Sequence, residues 1–325
     1  ATSIPTGGTA TAVLSSFTSR LASGSTLAVN FAGMNANQIA AANANFAFIT
    51  SATGNPVTVT RAGSTVGYAP TIQSGIDYAA AGDTLNVAAG TYAEALTVSK
   101  SLTFRGPNAG KAGTDATRGA EAVIMAPAGM VASYADTAYI VTVPAGVSGV
   151  VFDGLMVNGD NPATTSPFTA NGANPDADEG FSIEGDGAIV RNCVIKNVFQ
   201  FGVAMGATGG TDARFGEVTD NLIENIPYWA AILVYNDYYA AIDGNTVVNA
   251  WRGVQTNNHY KAVPAGKTAS ISDNAITTGI QDIAGDATYA DYDGILHNLQ
   301  GGVAAWTIAN NTITNTSAAN TDGDC

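Results

Sequence analysis

From Tyr68 to Gly106 the chain reads YAPTIQSGIDYAAAGDTLNVAAGTYAEALTVSKSLTFRG, and its spacing leaves few folds open. Ile72, Ile76 and Ala79 recur at helical intervals across 71–80, which predicts a short helix with one buried side. Gly82 ends it, because glycine adopts the backbone conformation a helix stop requires. Leu85 and Val87 then alternate with polar neighbours as a core-facing strand does. Ala89-Gly90-Thr91-Tyr92 reads as a turn, Leu96-Thr97-Val98 as a second strand and Leu102-Thr103-Phe104 as a third, closed by Gly106-Pro107. Crossover helices do not fit between such segments. The arrangement they suit is a chain winding as a parallel coil, each turn packing on its neighbours.

The segment GDTLNVAAGTYAEALTVSKSLTFRGPNAG resembles the opening coil of right-handed parallel β-helix proteins of the pectate lyase-like superfold, found among bacterial surface and secreted proteins. The likeness runs over about 40 residues through Gly82, Asp83, Gly90, Thr91, Tyr92, Glu94, Lys100, Ser101, Leu102 and Gly106. The next stretch, GPNAGKAGTDATRGAEAVI, is similar to a continuation in large bacterial surface proteins. The resemblance implies an all-β fold, a right-handed parallel β-helix of about eight to ten coils. It implies no particular chemistry, since the same coil opens lyases, esterases, epimerases and non-catalytic proteins.

The repeat becomes legible further on. Val190-Arg191-Asn192-Cys193-Val194-Ile195, Val218-Thr219-Asp220-Asn221-Leu222-Ile223, and the units around Asn245, Asn274 and Asn311 each place an apolar residue, a polar turn with asparagine, and another apolar residue. These asparagines are 24 to 37 residues apart. Asparagine tolerates the left-handed turn conformation, and its amide can bond its equivalents in the coils above and below. Counted from Asn192, Cys193 aligns with Leu222, Thr246, Ala275 and Thr312 and is expected to point outward; a bond to Cys325 would require the tail to fold back over four coils.

Residues 1–66 look different, with helical patterns around Val13–Leu21 and Ile39–Ala42, a strand-like run between them and two more after, at Phe46–Ile49 and Val57–Val59. They are expected to be a small mixed α/β cap covering the first coil, or an assembly domain, ahead of a β-helix over 67–325. The last unit, through Asn315, is followed only by a short polar tail, so the helix is expected to continue or stack beyond 325. The chain opens on Ala1 without a leader, which reads as a processed or partial sequence.

Charge narrows the partners. Twelve Lys and Arg against 26 Asp and Glu give a net charge of −14, which excludes nucleic acid as a partner. No apolar run approaches the ~20 residues of a membrane span. Two cysteines make no disulfide framework.

Loops between the repeating strands carry polar aromatics and acids. If the chain is an enzyme, Asp237, His259, Asp293 and Arg252 are its catalytic candidates, with the first three drawn from neighbouring coils; Asp178, Glu179, Asp291 and His297 are further ones. Flat rings that match sugar faces nominate Trp229, Tyr235, Tyr238, Tyr239, Trp251, Tyr260 and Tyr292 as ligand-binding residues. Asp282, Asp286, Asp291 and Asp293 form a hard-oxygen cluster suited to calcium, the one cofactor the residues admit. Turn chemistry accounts for most acids in such loops. The first expectation is therefore an extracellular structural or adhesive surface protein, in a surface layer, filament or large adhesin, self-assembling through its ends. The alternatives are a polysaccharide lyase or glycosidase, or a glycan-binding β-helix without catalysis.

Overall fold

The computed structural model describes residues 56–206, 212–279, 293–298 and 306–316. The elements expected before residue 56, together with Asp282, Asp286, Asp291, Tyr292 and Cys325, lie outside the described residues.

The described chain is a parallel β-helix. Along one face run eight strands in parallel register: Thr84–Val87, Thr103–Arg105, Val151–Asp153, Ile189–Arg191, Arg214–Thr219, Tyr238–Asp243, Ala269–Ser272 and Trp306–Ala309. They define coils 1 to 8. Each coil turns a first corner into a second face, and coils 1 to 7 pass a second corner into a third face. In coils 5 and 6 one long strand spans both of these faces, Leu222–Tyr235 and Thr246–Asn257. Parallel β-crossover-β connections are right-handed in nearly all proteins, and that is the sense expected of this winding.

The sequence pattern showed two strands per coil where there are three. Gly90–Ala93, read as a turn, is the second-face strand of coil 1, with Tyr92 turned inward and its hydroxyl donating to Ala88 O at 2.8 Å. A four-residue strand with a single buried side chain carries too little alternation to be told from a turn.

Inward positions stack in columns. On the first face Leu85, Phe104, Phe152, Val190, Val218, Ile242 and Ile271 follow one another in register, all fully buried. The Phe104 and Phe152 rings stack at 4.9 Å between centroids. Each such side chain contributes about 1.5–3 kcal/mol by leaving water. Among the described residues the column ends at Ile308, which is 46% exposed.

The start of the helix is closed by an antiparallel hairpin, β1 (Val57–Arg61) and β2 (Ser64–Ala69), and by helix α1 (Ile72–Tyr78). Strand β1 pairs antiparallel with the first strand of coil 1, and the boundary drawn at residue 66 falls inside β2. Coil 1 caps α1 at both ends. The Glu94 carboxylate accepts from the Ile72 and Gln73 amides, each at 2.9 Å, and Lys100 Nζ donates to the carbonyls of Ile76, Asp77 and Ala79. Free amides at a helix start and free carbonyls at its end need such partners. That explains why a glutamate and a lysine belong to the motif.

The first corner separates two roles that sequence reading gave to one asparagine. The left-handed position is held by Asn192, Asp220, Gly244, Asp273 and Asn310. The residue after it turns inward and builds the ladder: Asn221, Asn245 and Asn274 each donate through N and Nδ2 to Oδ1 of the asparagine one coil on, ending at Asn311. Cys193 therefore aligns with Asn221, contrary to the outward placement expected, and is fully buried. The excursion at 107–120 straps this corner, with the Gly113 amide on Asp220 O and Arg118 Nη1 on Asn192 O. Gly113 is required there because a Cβ would meet Leu222 N at 2.2 Å.

Candidate functional site

At the second corner the backbone is left-handed at Asn197, Asn225 and Asn249, whose side-chain amides chain to one another and to Asn158 at 2.9–3.3 Å. Each of these asparagines is followed within three residues by an aromatic: Phe199, Tyr228 and Trp251. Phe199 and Tyr228 stack at 5.2 Å, and Tyr228 meets Trp251 at 5.1 Å. The loop after coil 3's second-face strand adds Phe168, 3.7 Å from Phe199 between centroids. Tyr134 closes edge-on against Phe168, Phe199 and Tyr228 and is 53% exposed.

Trp229 completes this corner. Pro227 has no N–H to give the ladder, and the pairing of coils 5 and 6 shifts register between Ile226 and Ala230. Within that bulge Trp229 takes φ +87°, a conformation bulky residues rarely adopt. Its ring leans on Tyr228 and Phe201, and it stays 37% exposed.

Beside the aromatics, on the outward side of the third face, lie two charged constellations. Arg252 Nε donates to Asp293 Oδ2 at 2.8 Å, and the Arg252 guanidinium lies 5.2 Å over the Trp251 ring. Further back, the Asp136 and Glu179 carboxyls lie near one another, and Asp136 Oδ1 and Glu179 Oε2 are buried without a hydrogen-bond partner. Burial raises both acids, Asp136 to about 6 and Glu179 well above the usual carboxylate range; the Asp178 charge adds to the rise at Asp136, and the Asp136 and Asp178 charges add to that at Glu179. Asp178 serves the backbone: its carboxylate accepts from the amides of Ser133, Thr137 and Ala138.

The other catalytic candidates sit elsewhere. Asp237 and His259 share the third corner, whereas Arg252 and Asp293 occupy the opposite end of the third-face strands, roughly 20 Å away at about 3.3 Å per residue. The expected meeting of Asp237, His259 and Asp293 on one surface is therefore not found. Burial pushes Asp237 up, but amides from Tyr260 and Lys261, at 2.5 and 2.8 Å, outweigh it and hold the carboxyl below its ordinary range. His259 is buried, its proton affinity lowered by desolvation, with Nε2 2.8 Å from Tyr238 O. His297 Nδ1 pairs with Thr256.

Two of the ring candidates are also misplaced. Tyr238 and Tyr239 are fully buried, their hydroxyls donating to Gly185 O and Lys261 O, because both begin a first-face strand where the corner loop folds over them. Tyr235 lies half-buried across Gly206, and Trp251 is buried; Tyr260 stands exposed on the third corner, away from the other rings. Among the described residues no cluster of three His, Cys, Asp or Glu side chains is arranged to hold a metal. Of the calcium candidates Asp293 alone is described, and it is paired with Arg252.

Sequence reasoning missed Tyr134, Phe168, Phe199, Phe201, Tyr228 and Asp136. The signal available was the aromatic recurring two or three residues after Asn197, Asn225 and Asn249.

The strand order defines the class: a parallel β-helix protein. No protein-family model matches the sequence, and a search of curated proteins finds no match. Among solved structures, the pectin methylesterase from Aspergillus niger aligns with 79% of this chain and 85% of its own, at 13% identity and a TM-score of 0.44. The assignment of the fold rests on the strand ladders themselves.

Proposed function

We propose that this β-helix is an extracellular glycan-binding protein without catalysis, which seats a saccharide against the aromatic second corner. The observation that carries the reading is Trp229. A tryptophan held in the left-handed region costs about 1–3 kcal/mol of strain, and such strain persists where surrounding structure imposes it, most often at ligand sites. Its exposed ring, joined through Tyr228 to the exposed Tyr134, offers the flat apolar surface a sugar ring stacks on. Of the ionisable groups nearby, Arg252 is paired with Asp293, and Glu179 is buried. That favours binding over the two free, flanking carboxyls that glycoside hydrolysis uses.

The test is retention on a panel of immobilised neutral and acidic polysaccharides, comparing wild type with Trp229→Ala and Tyr260→Ala. The expected result is retention on at least one polysaccharide, weakened about tenfold or more by Trp229→Ala and unchanged by Tyr260→Ala. Retention insensitive to Trp229 on every polysaccharide contradicts the reading, as does no retention on any.

A second reading, a surface scaffold stacking through coil 8, draws on Ile308, an inward-column residue left 46% exposed. Sedimentation of wild type against Ile308→Asp tests it: concentration-dependent association that the aspartate abolishes supports stacking.

A further inference from the structure

The chain holds two Asn-Gly pairs, Asn158-Gly159 and Asn171-Gly172, and the fold treats them oppositely. In such a pair the side-chain amide carbon lies within reach of the next backbone nitrogen, and glycine puts no side chain in the way. Gly159 is not free to react. Its amide donates to Lys196 O at 2.9 Å across coils 3 and 4, and a Cβ there would meet Asn197 O at 2.1 Å. The Asn158 side chain is engaged as well, with Oδ1 accepting from Asn197 Nδ2 and Nδ2 donating to Asp160 O.

Asn171 and Gly172 form the exposed tip of the loop that carries Phe168. Both are left-handed, at φ +48° and +81°, and two backbone bonds between Ala170 and Ala173 close the hairpin beneath them. Among the described residues the Gly172 amide has no hydrogen-bond partner. Opening so small an exposed turn is a local event that leaves the coils intact. Asn171 Nδ2 ties the tip to the second corner, donating to Asn225 Oδ1 at 3.2 Å. Asn225 is held in that orientation, because its Nδ2 donates to Asn197 Oδ1 while its Oδ1 also accepts from Asn249.

We infer that Asn171 is a site of spontaneous deamidation, and that the reaction unfastens the Phe168 loop from the aromatic corner. Hydroxide takes the proton of the Gly172 amide, and the nitrogen attacks Cγ of Asn171. The new N–Cγ bond forms, the Cγ–Nδ2 bond breaks, and ammonia leaves with a proton from water. Water then opens the five-membered imide at either carbonyl, leaving an aspartyl or isoaspartyl residue at 171. A carboxylate there offers acceptors only and faces Asn225 Oδ1, itself an acceptor, so the tie becomes a repulsion.

The inference does not rest on glycan binding, and its test uses no sugar. Wild type is aged at mildly alkaline pH, folded and in urea, then digested with chymotrypsin, which parts the two pairs at Phe168. Mass spectrometry of the fragments reads the gain of an amide turned acid. In the folded protein conversion is expected at Asn171 and not at Asn158, whereas in urea both convert. Conversion at both in the folded protein, or at neither, overturns the site. The acidic fraction of the aged protein, separated by anion exchange, and Asn171→Asp are then exposed to brief chymotrypsin while folded. Both are expected to be cut at Phe168, which is 8% exposed in the closed loop, several-fold faster than fresh wild type. Equal rates overturn the unfastening. Should Asn171→Asp fail to fold, the aged fraction alone decides.

Discussion

The amide N–H of Cys193 donates to Oδ1 of Asn221 at 2.9 Å, so a thiol stands where the inner ladder calls for one more asparagine. Every asparagine above it sends Nδ2 to a first-face carbonyl of the coil before: Val190, Val218, Ile242 and Ile271. Cys193 Sγ lies 3.9 Å from the equivalent Phe152 carbonyl, too far for more than a weak contact. Cys193→Asn is predicted to extend the ladder and to stabilise the fold by about 1 kcal/mol in urea unfolding. A loss of stability would show that coil 4 cannot take the amide.

The two asparagine ladders differ in burial, and their deletions should differ in cost. Asn245 exchanges buried bonds with Asn221, Asn274 and Val218. Asn245→Ala leaves several of those groups unpaired and is predicted to cost about 3–4 kcal/mol. Asn249, at the outer corner, gives up one 3.3 Å bond and a left-handed backbone, and Asn249→Ala should cost about 1 kcal/mol. Equal losses in urea unfolding would contradict this division.

Lys100 closes the C-terminal end of α1 with three bonds of 2.7–2.9 Å. Lys100→Met keeps the stem and removes the donors. It is predicted to cost about 2 kcal/mol, with hydrogen exchange rising first across 72–79. Uniform exchange across the protein would mean that the cap is not a local fastening.

Asp237 is held below its ordinary pKa despite burial. A depressed folded value contributes stability above the unfolded pKa and loses it as pH falls through the folded one. Asp237→Asn should therefore cost about 1–2 kcal/mol at neutral pH, and its melting curve should converge on that of wild type below about pH 4. A gap that persists in acid would assign the loss to packing instead.

The parallel coil was legible because short apolar strands such as those at Leu85 and Phe104 are separated by tight turns that leave no room for crossover helices. The second-face strand of coil 1 was not: Gly90–Ala93 buries one residue, is defined by the coil above it, and read as a turn. The Asn192 alignment slipped by one because asparagine suits both the left-handed position and the ladder, and only the partner one coil on tells them apart. At the site, Trp229 was visible as a ring. Tyr134 and Phe168 were not, since loops bring them in from earlier coils and no spacing records that approach. Tyr238 and Tyr239 looked like platforms because nothing local shows which loop will bury them.

Trp229 carries the functional account, and Trp229→Gly separates its two consequences in one protein. Glycine accepts φ +87° without strain, so if the tryptophan is held there for a ligand, the variant should melt higher, by about 2–4 °C per kcal/mol of strain relieved. The same variant should lose retention on whichever polysaccharide holds wild type. A variant that melts lower and binds as wild type does would make the ring a structural plug and would contradict the account.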